Sequence, residues 1–107
     1  MSGQASARAN ITAISLAEKC EITTLEEDIY STGDRITVTD LGQQMPVPRG
    51  MPQINNCSYL VEKTSSTTYL IKDITTEDYI NSLNFTPYVE GGNLNLDQTI
   101  FIYEGDS

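Results

Sequence analysis

Apolar and polar residues alternate along much of this chain with a period of two, and the alternation comes in short runs. Ile11 to Leu16 (ITAISL) and Cys20 to Leu25 (CEITTL) carry β-branched residues at alternate positions on either side of Ala17-Glu18-Lys19, the pattern of two paired short strands. After the turn sequence Ser31-Thr32-Gly33-Asp34, the run Arg35 to Leu41 puts Ile36 and Val38 on one face and Arg35, Thr37 and Thr39 on the other. That is a half-buried strand. Cys57 to Lys63 and Thr67 to Asp73, joined by Thr64-Ser65-Ser66, read as a hairpin with Tyr59, Val61, Tyr69 and Ile71 facing inward.

Between these runs the pattern breaks. Residues 42–56 (GQQMPVPRGMPQINN) hold three of the four prolines and two glycines, so they predict a long surface loop, not a central strand. Loops of that length are commonly functional or docked. Residues 75–83 (TTEDYINSL) offer a Thr cap at 75 or 76 and acids in the first turn, which permits a short helix or helical turn. Glu90-Gly91-Gly92 then turns into a strand at Asn93 to Leu96, and Ile100, Phe101, Ile102 and Tyr103 carry more apolar surface than a solvated tail should. About six or seven short strands at the turn spacing of a small barrel or sandwich give a mainly β fold, with the barrel preferred.

Composition changes what such a barrel can do. The 107 residues include 15 acidic and 6 basic side chains, a net charge of -9. Arg8, Lys19, Arg35, Arg49, Lys63 and Lys72 are scattered, so a phosphate backbone or an anionic membrane would meet repulsion. Residues 1–10 carry one Arg and no hydrophobic run, and the expectation is an intact cytosolic product without a leader or membrane span. Residues 1–9 are small and polar and read as an arm lying against another subunit or partner.

Candidate chemistry is sparse. There is no His, which removes Ser-His and Cys-His nucleophile systems within one chain. Cys20 and Cys57 sit at strand positions, far apart, and lack the close spacing of a zinc or redox motif. Buried free thiols are the expectation. Glu26, Glu27, Asp28 and Asp34 are close in sequence but lack the ligand spacing of a calcium loop. The STGD turn lacks the Lys and following helix of a phosphate loop, and Gly33 is better explained by positive φ with Asp34 or Ser31 bonding nearby backbone. No catalytic residue, metal or cofactor is expected.

One resemblance adds to this. The ordered series ITAISLAEKCEITT, YSTGDRITVTDL, GMPQINNCSYLVEKTSSTTYLIKDI and EGGNLNL, from Asn10 to Leu96, resembles a β-barrel module related to the first catalytic cysteine half-domain of ubiquitin-activating enzymes. Modules that look like this are common in tailed-phage virion proteins, where they imply a structural or docking role and no ubiquitin chemistry. Neither cysteine inherits a catalytic role. Two departures stand out: Asp28-Ile29 where family members often have His-Gly, and a longer segment between Leu41 and Gly50.

The resemblance and the composition together lead to a non-catalytic virion protein assembled in the host cytoplasm. Its partners would be tail, adaptor or portal-proximal proteins and further copies of itself, in a ring or in many copies. No nucleic acid, membrane or ubiquitin-like protein is expected to bind. The expected layout is an arm (1–9), a barrel (10–96) and a C-terminal strand or tail (97–107). The residues expected at the interface are Ser2, Gln4 and Arg8 in the arm, Met45, Val47, Arg49 and Met51 in the Pro-rich loop, and Ile100, Phe101, Ile102 and Tyr103. A capsid decoration protein and a receptor- or glycan-binding module of a tail fibre are the alternatives.

Overall fold

A computed structural model describes residues 8–42 and 49–97. Its strands are β1 (Arg8–Ile14), β2 (Glu21–Thr24), β3 (Arg35–Thr39), β4 (Ser58–Lys63), β5 (Thr68–Lys72) and β6 (Asn93–Leu96). All pair antiparallel in the order β1-β2-β5-β4-β3-β6, and β6 returns to β1 to close a barrel. Closure leaves no open edge among the described strands.

The inward faces follow from the alternation. Ile22, Ile36, Val38, Val61, Tyr69, Ile71 and Leu94 are essentially fully buried, and Tyr59 is buried with them. Each contributes about 1.5–3 kcal/mol from apolar burial alone. β1 is irregular: Ile11 lies opposite Thr24 but Ala13 opposite Thr23, so Thr12 is one residue too many for its partner. This bulge lets Ile11 and Ile14 both face the core while Thr12 and Ala13 stay exposed. The strand also begins earlier than its pattern suggested. Arg8 and Ala9 pair with Asn95 and Leu94, and Ala9 is fully buried, so the barrel starts at residue 8 rather than 10.

Tyr30 seals the interior from the segment between β2 and β3. Its ring meets Tyr69 edge-on at 5.7 Å, its hydroxyl donates to the Leu94 carbonyl (3.1 Å), and its backbone N–H donates to the Tyr69 hydroxyl (3.2 Å). The edge-to-face geometry suits the ring quadrupoles.

Two long connections differ from expectation. The loop expected wholly on the surface sends Met51 and Ile54 into the core, both fully buried, around a 3-10 turn at Pro52–Ile54. Proline suits the first position of such a turn because its missing N–H has no partner there to lose. Residues 75–83 form no helix. Asp73, not Thr75 or Thr76, is the capping residue: its carboxylate accepts from the N–H groups of Thr75 (2.7 Å) and Thr76 (3.0 Å). Glu77 then turns back with φ 63, and Tyr79 bridges to Lys72. Ile80 must stay extended so that its N–H reaches the Ile71 carbonyl and its carbonyl takes the Cys20 N–H, and this tertiary pairing overrides the local helix signal.

Further along, Ser82 is fully buried and satisfied, donating to the Ser15 carbonyl (2.7 Å) and accepting from the Ala17 N–H (3.0 Å). Cys20, just ahead of β2, is a buried free thiol, and Cys57, just ahead of β4, is half-buried and free. Burial pushes the Cys20 thiol up, away from the reactive thiolate.

Candidate functional site

The contacts at the STGD turn account for all four residues, beginning with the Thr32 hydroxyl, which accepts from the Lys63 N–H (2.9 Å). Gly33 has φ 99 and donates its N–H to the Val61 carbonyl (2.8 Å). The Asp34 carboxylate accepts from the Ser31 N–H (2.9 Å), and the Asp34 N–H returns to the Ser31 carbonyl (3.0 Å). The Ser31, Gly33 and Asp34 N–H groups that could cradle an anion are therefore already bonded, two within the turn and one to β4.

The acidic residues beside it are also engaged. Asp28 pairs with Lys63 Nζ at 2.5 Å, a contact that raises the lysine's pKa. Glu26 accepts from the Asn10 backbone N–H and Nδ2, both at 2.8 Å, which lowers its carboxyl below the usual range. Among the described residues no three His, Cys, Asp or Glu side chains gather in a group able to hold a metal ion.

The cations fall into two groups. Arg35 Nε lies 2.9 Å from Asp97 Oδ2, close enough for an ion pair though not aligned as a hydrogen bond. Lys72 sits 3.3 Å from Glu62, and the Tyr79 hydroxyl donates to the same Glu62 oxygen at 2.6 Å, so Glu62 is held below and Tyr79 above its ordinary pKa. Lys19 and Lys72 both approach the Tyr79 ring, 4.4 and 4.9 Å from its centre, each a cation–π contact.

Arg8 and Arg49, by contrast, are loosely held, and the fold brings them to one place. Arg8 Nη2 lies 3.9 Å from Asp40 Oδ2, with both side chains more than half exposed, and Arg49 Nη1 donates to the Asp40 carbonyl at 3.4 Å. Asp40, at φ 64 just past β3, is anchored by Asn93 Nδ2 at 2.5 Å. The Arg49 side chain lies along Gly91, where a Cβ would come within 2.9 Å of its Cδ. Sequence spacing gave no warning of this convergence, since 32 positions separate Asp40 from Arg8; the nearest signal is the Asp-Leu-Gly break that ends the β3 alternation.

Of the residues expected at an interface, Arg8 and Arg49 therefore stand together on the surface. Met51 does not join them. It is fully buried, because the turn at Pro52 swings it under the barrel wall. Ser2, Gln4, Met45, Val47, Ile100, Phe101, Ile102 and Tyr103 lie outside the described residues.

The bases of those outlying segments are well placed. Residues 43–48 spring from Gly42 and Arg49, closed by the Gly42 to Gly50 bridge (Gly42 N to Gly50 O 3.0 Å, Gly50 N to Gly42 O 2.9 Å). Arg8 and Asp97 are the first and last described residues: Arg8 opens β1, facing Asn95 of β6, and Asp97 follows β6 directly. Arg8 and Arg49 thus stand where two of the three segments begin. No family model matches the chain, and no curated protein matches it in sequence.

Proposed function

We propose that the protein is a non-catalytic structural component of a tailed-phage virion, docking or stabilising the tail or head-tail junction through its N-terminal arm, Pro-rich loop and C-terminal segment. The observation that carries this reading is that those segments adjoin a closed barrel, with Arg8 and Arg49 the described residues next to the arm and the loop. The resemblance to phage barrel modules supplies the virion context, as an analogy of fold.

The charge distribution supports a protein partner over nucleic acid. Four of the six cations are committed to carboxylates or to a ring, and uncommitted Lys and Arg are what phosphate binding consumes. The tyrosines favour docking over a glycan-binding fibre tip: Tyr30, Tyr59 and Tyr69 are buried, and Tyr79 and Tyr88 are half-buried with their hydroxyls bonded to Glu62 and to the Gly91 carbonyl.

The test is removal of residues 1–7, leaving Arg8 and Ala9 in β1, and separately replacement of 43–48 by a short glycine link. Each variant should keep the strand signature and cooperative melting of the parent but fail to enter virions in a complementation assay. Incorporation at the parental level would refute the reading. Copy number separates its forms: six or twelve per particle supports the tail, and hundreds support capsid decoration.

A further inference from the structure

We infer that the end of the barrel carrying Leu16 and Leu83 receives the C-terminal run Ile100–Tyr103 of a second copy of this chain, so that copies meet head to tail. The inference deepens the proposed function and rests on it for the expectation that copies meet at all.

Strand direction divides the molecule into two ends. β1, β3 and β5 run one way, and β2, β4 and β6 run the other. The connections that follow β1, β3 and β5 therefore gather at one end, while Arg8 and Asp97, next to the two terminal segments, stand toward the other. Five large hydrophobic side chains stay exposed among the described residues, and four of them, Leu16, Ile74, Leu83 and Val89, belong to the first end. Leu16 and Leu83 form a pair there. The Ser82 N–H donates to the Ala17 carbonyl (2.8 Å) and the Cys20 N–H to the Ile80 carbonyl (2.8 Å), so residues 80–83 run antiparallel to 16–20 and set Leu83 opposite Leu16. The buried Ser82 hydroxyl, bonded to the Ser15 carbonyl and the Ala17 N–H, fixes that register. Single exposed apolar side chains are ordinary on a protein surface, whereas a set gathered at one end marks a contact.

The reach of the chain selects the occupant. Ile100-Phe101-Ile102-Tyr103 is the longest unbroken aliphatic and aromatic run in the sequence. It begins three residues past Asp97, whose N–H donates to the Arg35 carbonyl (2.7 Å) where β3 starts, at the end away from Leu16. Even fully extended, Ile100 reaches only about 10 Å from Asp97 and Tyr103 about 20 Å. β1 alone covers about 20 Å from Arg8 to Ile14. Asp97 lies two residues outside the Asn95 that faces Arg8, and Leu16 lies two residues beyond Ile14. The run therefore falls short of the Leu16–Leu83 pair of its own barrel. It reaches the pair of a neighbour whose first end faces the end it leaves. Unlike ends in contact make a heterologous interface, which closes as a ring or continues as a stack. Charge does not select this contact, since Glu18, Glu77 and Glu90 are exposed at the same end as Lys19 and Arg49; the contact is apolar.

The test uses the full chain and sedimentation velocity across a concentration series at low and high salt. The parent should assemble in a concentration-dependent way. Added salt should hold or strengthen assembly, because it screens, beyond about 10 Å at 0.1 M, the repulsion between chains of net charge -9. The variants L16S/L83S and F101S/I102S, each shown to be folded by circular dichroism, should each raise the concentration needed for assembly by about tenfold or more. Mixed together they should form a one-to-one pair and nothing longer, since one supplies an intact run and the other an intact receiving end. A parent that stays monomeric, assembly that dissolves in salt, or either folded variant assembling like the parent would overturn the inference. Residues 43–48 of the same chain, or an unrelated protein, seated on the Leu16–Leu83 pair would give a monomeric parent. Virion incorporation of F101S/I102S is read separately: a monomeric parent whose variant is still shut out of virions removes the contact between copies and leaves the virion assignment standing.

Discussion

The barrel wall and the two long connections that cover it are stabilised in different ways. In the wall, alternate residues of six strands meet inside, and the loss of any one leaves a hole that the others partly close around. The described parts of the connections, residues 40–42, 49–57 and 73–92, hold to each other largely through backbone: Gly50 bridges to both Gly42 and Tyr88, and the Val89 N–H donates to the Arg49 carbonyl at 2.9 Å. Gln53 and Thr86 add a reciprocal side-chain clasp, with two bonds of 3.2 Å. The wall loses stability in proportion to the apolar area removed, whereas the clasp is sensitive to a single added atom, because backbone approach is set by sterics.

The largest effect should come from the wall. Ile22→Ala removes a fully buried side chain at the centre of the barrel and should cost about 2–5 kcal/mol in urea unfolding. A loss under about 1 kcal/mol would mean that the interior repacks freely and that the contrast fails.

Next comes the clasp. At Gly50, φ is 87 and a Cβ would lie 2.2 Å from the Pro87 carbonyl oxygen, whereas at Gly33, φ is 99 and nothing lies within 4 Å. Gly50→Ala should cost about 3 kcal/mol, from strain plus overpacking, and Gly33→Ala about 1 kcal/mol, from strain alone. Equal losses at the two sites would remove the clasp from the account.

A smaller effect joins wall and connection. Tyr30→Phe deletes the hydroxyl that donates to Leu94 and should cost about 1 kcal/mol at neutral pH. Burial pushes the Tyr30 and Tyr59 hydroxyls well above the ordinary phenol value. A folded-state pKa above the unfolded one means that their contribution is complete below about pH 10 and is lost as pH rises beyond it. The parent should therefore unfold more steeply than Tyr30→Phe above that pH, as followed by tyrosinate absorbance. Identical alkaline slopes would show that Tyr30 titrates freely.

The smallest expected change is Thr86→Val, which removes one bond of the exposed clasp and should cost about 0.5 kcal/mol. A loss as large as that of Gly50→Ala would show that the side chains, and not the backbone, hold the connections together.

Legibility follows the same division. Ile36, Val38, Tyr59, Val61, Tyr69 and Ile71 were readable as core because a strand alternates its faces with a period of two, which is a local property. Gly33 at φ 99 was readable as a turn because few residues accept positive φ. Met51 was not. It is a Met with φ 40 directly ahead of Pro52, a position where proline disfavours helical backbone in the preceding residue, and only its place under the barrel compensates. At 75–83 the chain makes one turn, closed by the Glu77 N–H on the Asp73 carbonyl (2.8 Å), and goes no further as a helix, since the pairing of Tyr79 with Lys72 holds the next residues extended.

The sequence by itself determined the fold class, the inward faces of the strands, the tight turns, the want of a histidine-based site and the excess of negative charge. These are properties of single residues and of short-range periodicity. The tertiary structure decided the order in which the strands close, the bulge at Thr12, the burial of Met51 and Ile54, and the meeting of Arg8 and Arg49 at Asp40. Each of those depends on residues tens of positions apart being brought to contact distance. Which distant pairs meet is set by the packing of the whole barrel, and no local pattern encodes it.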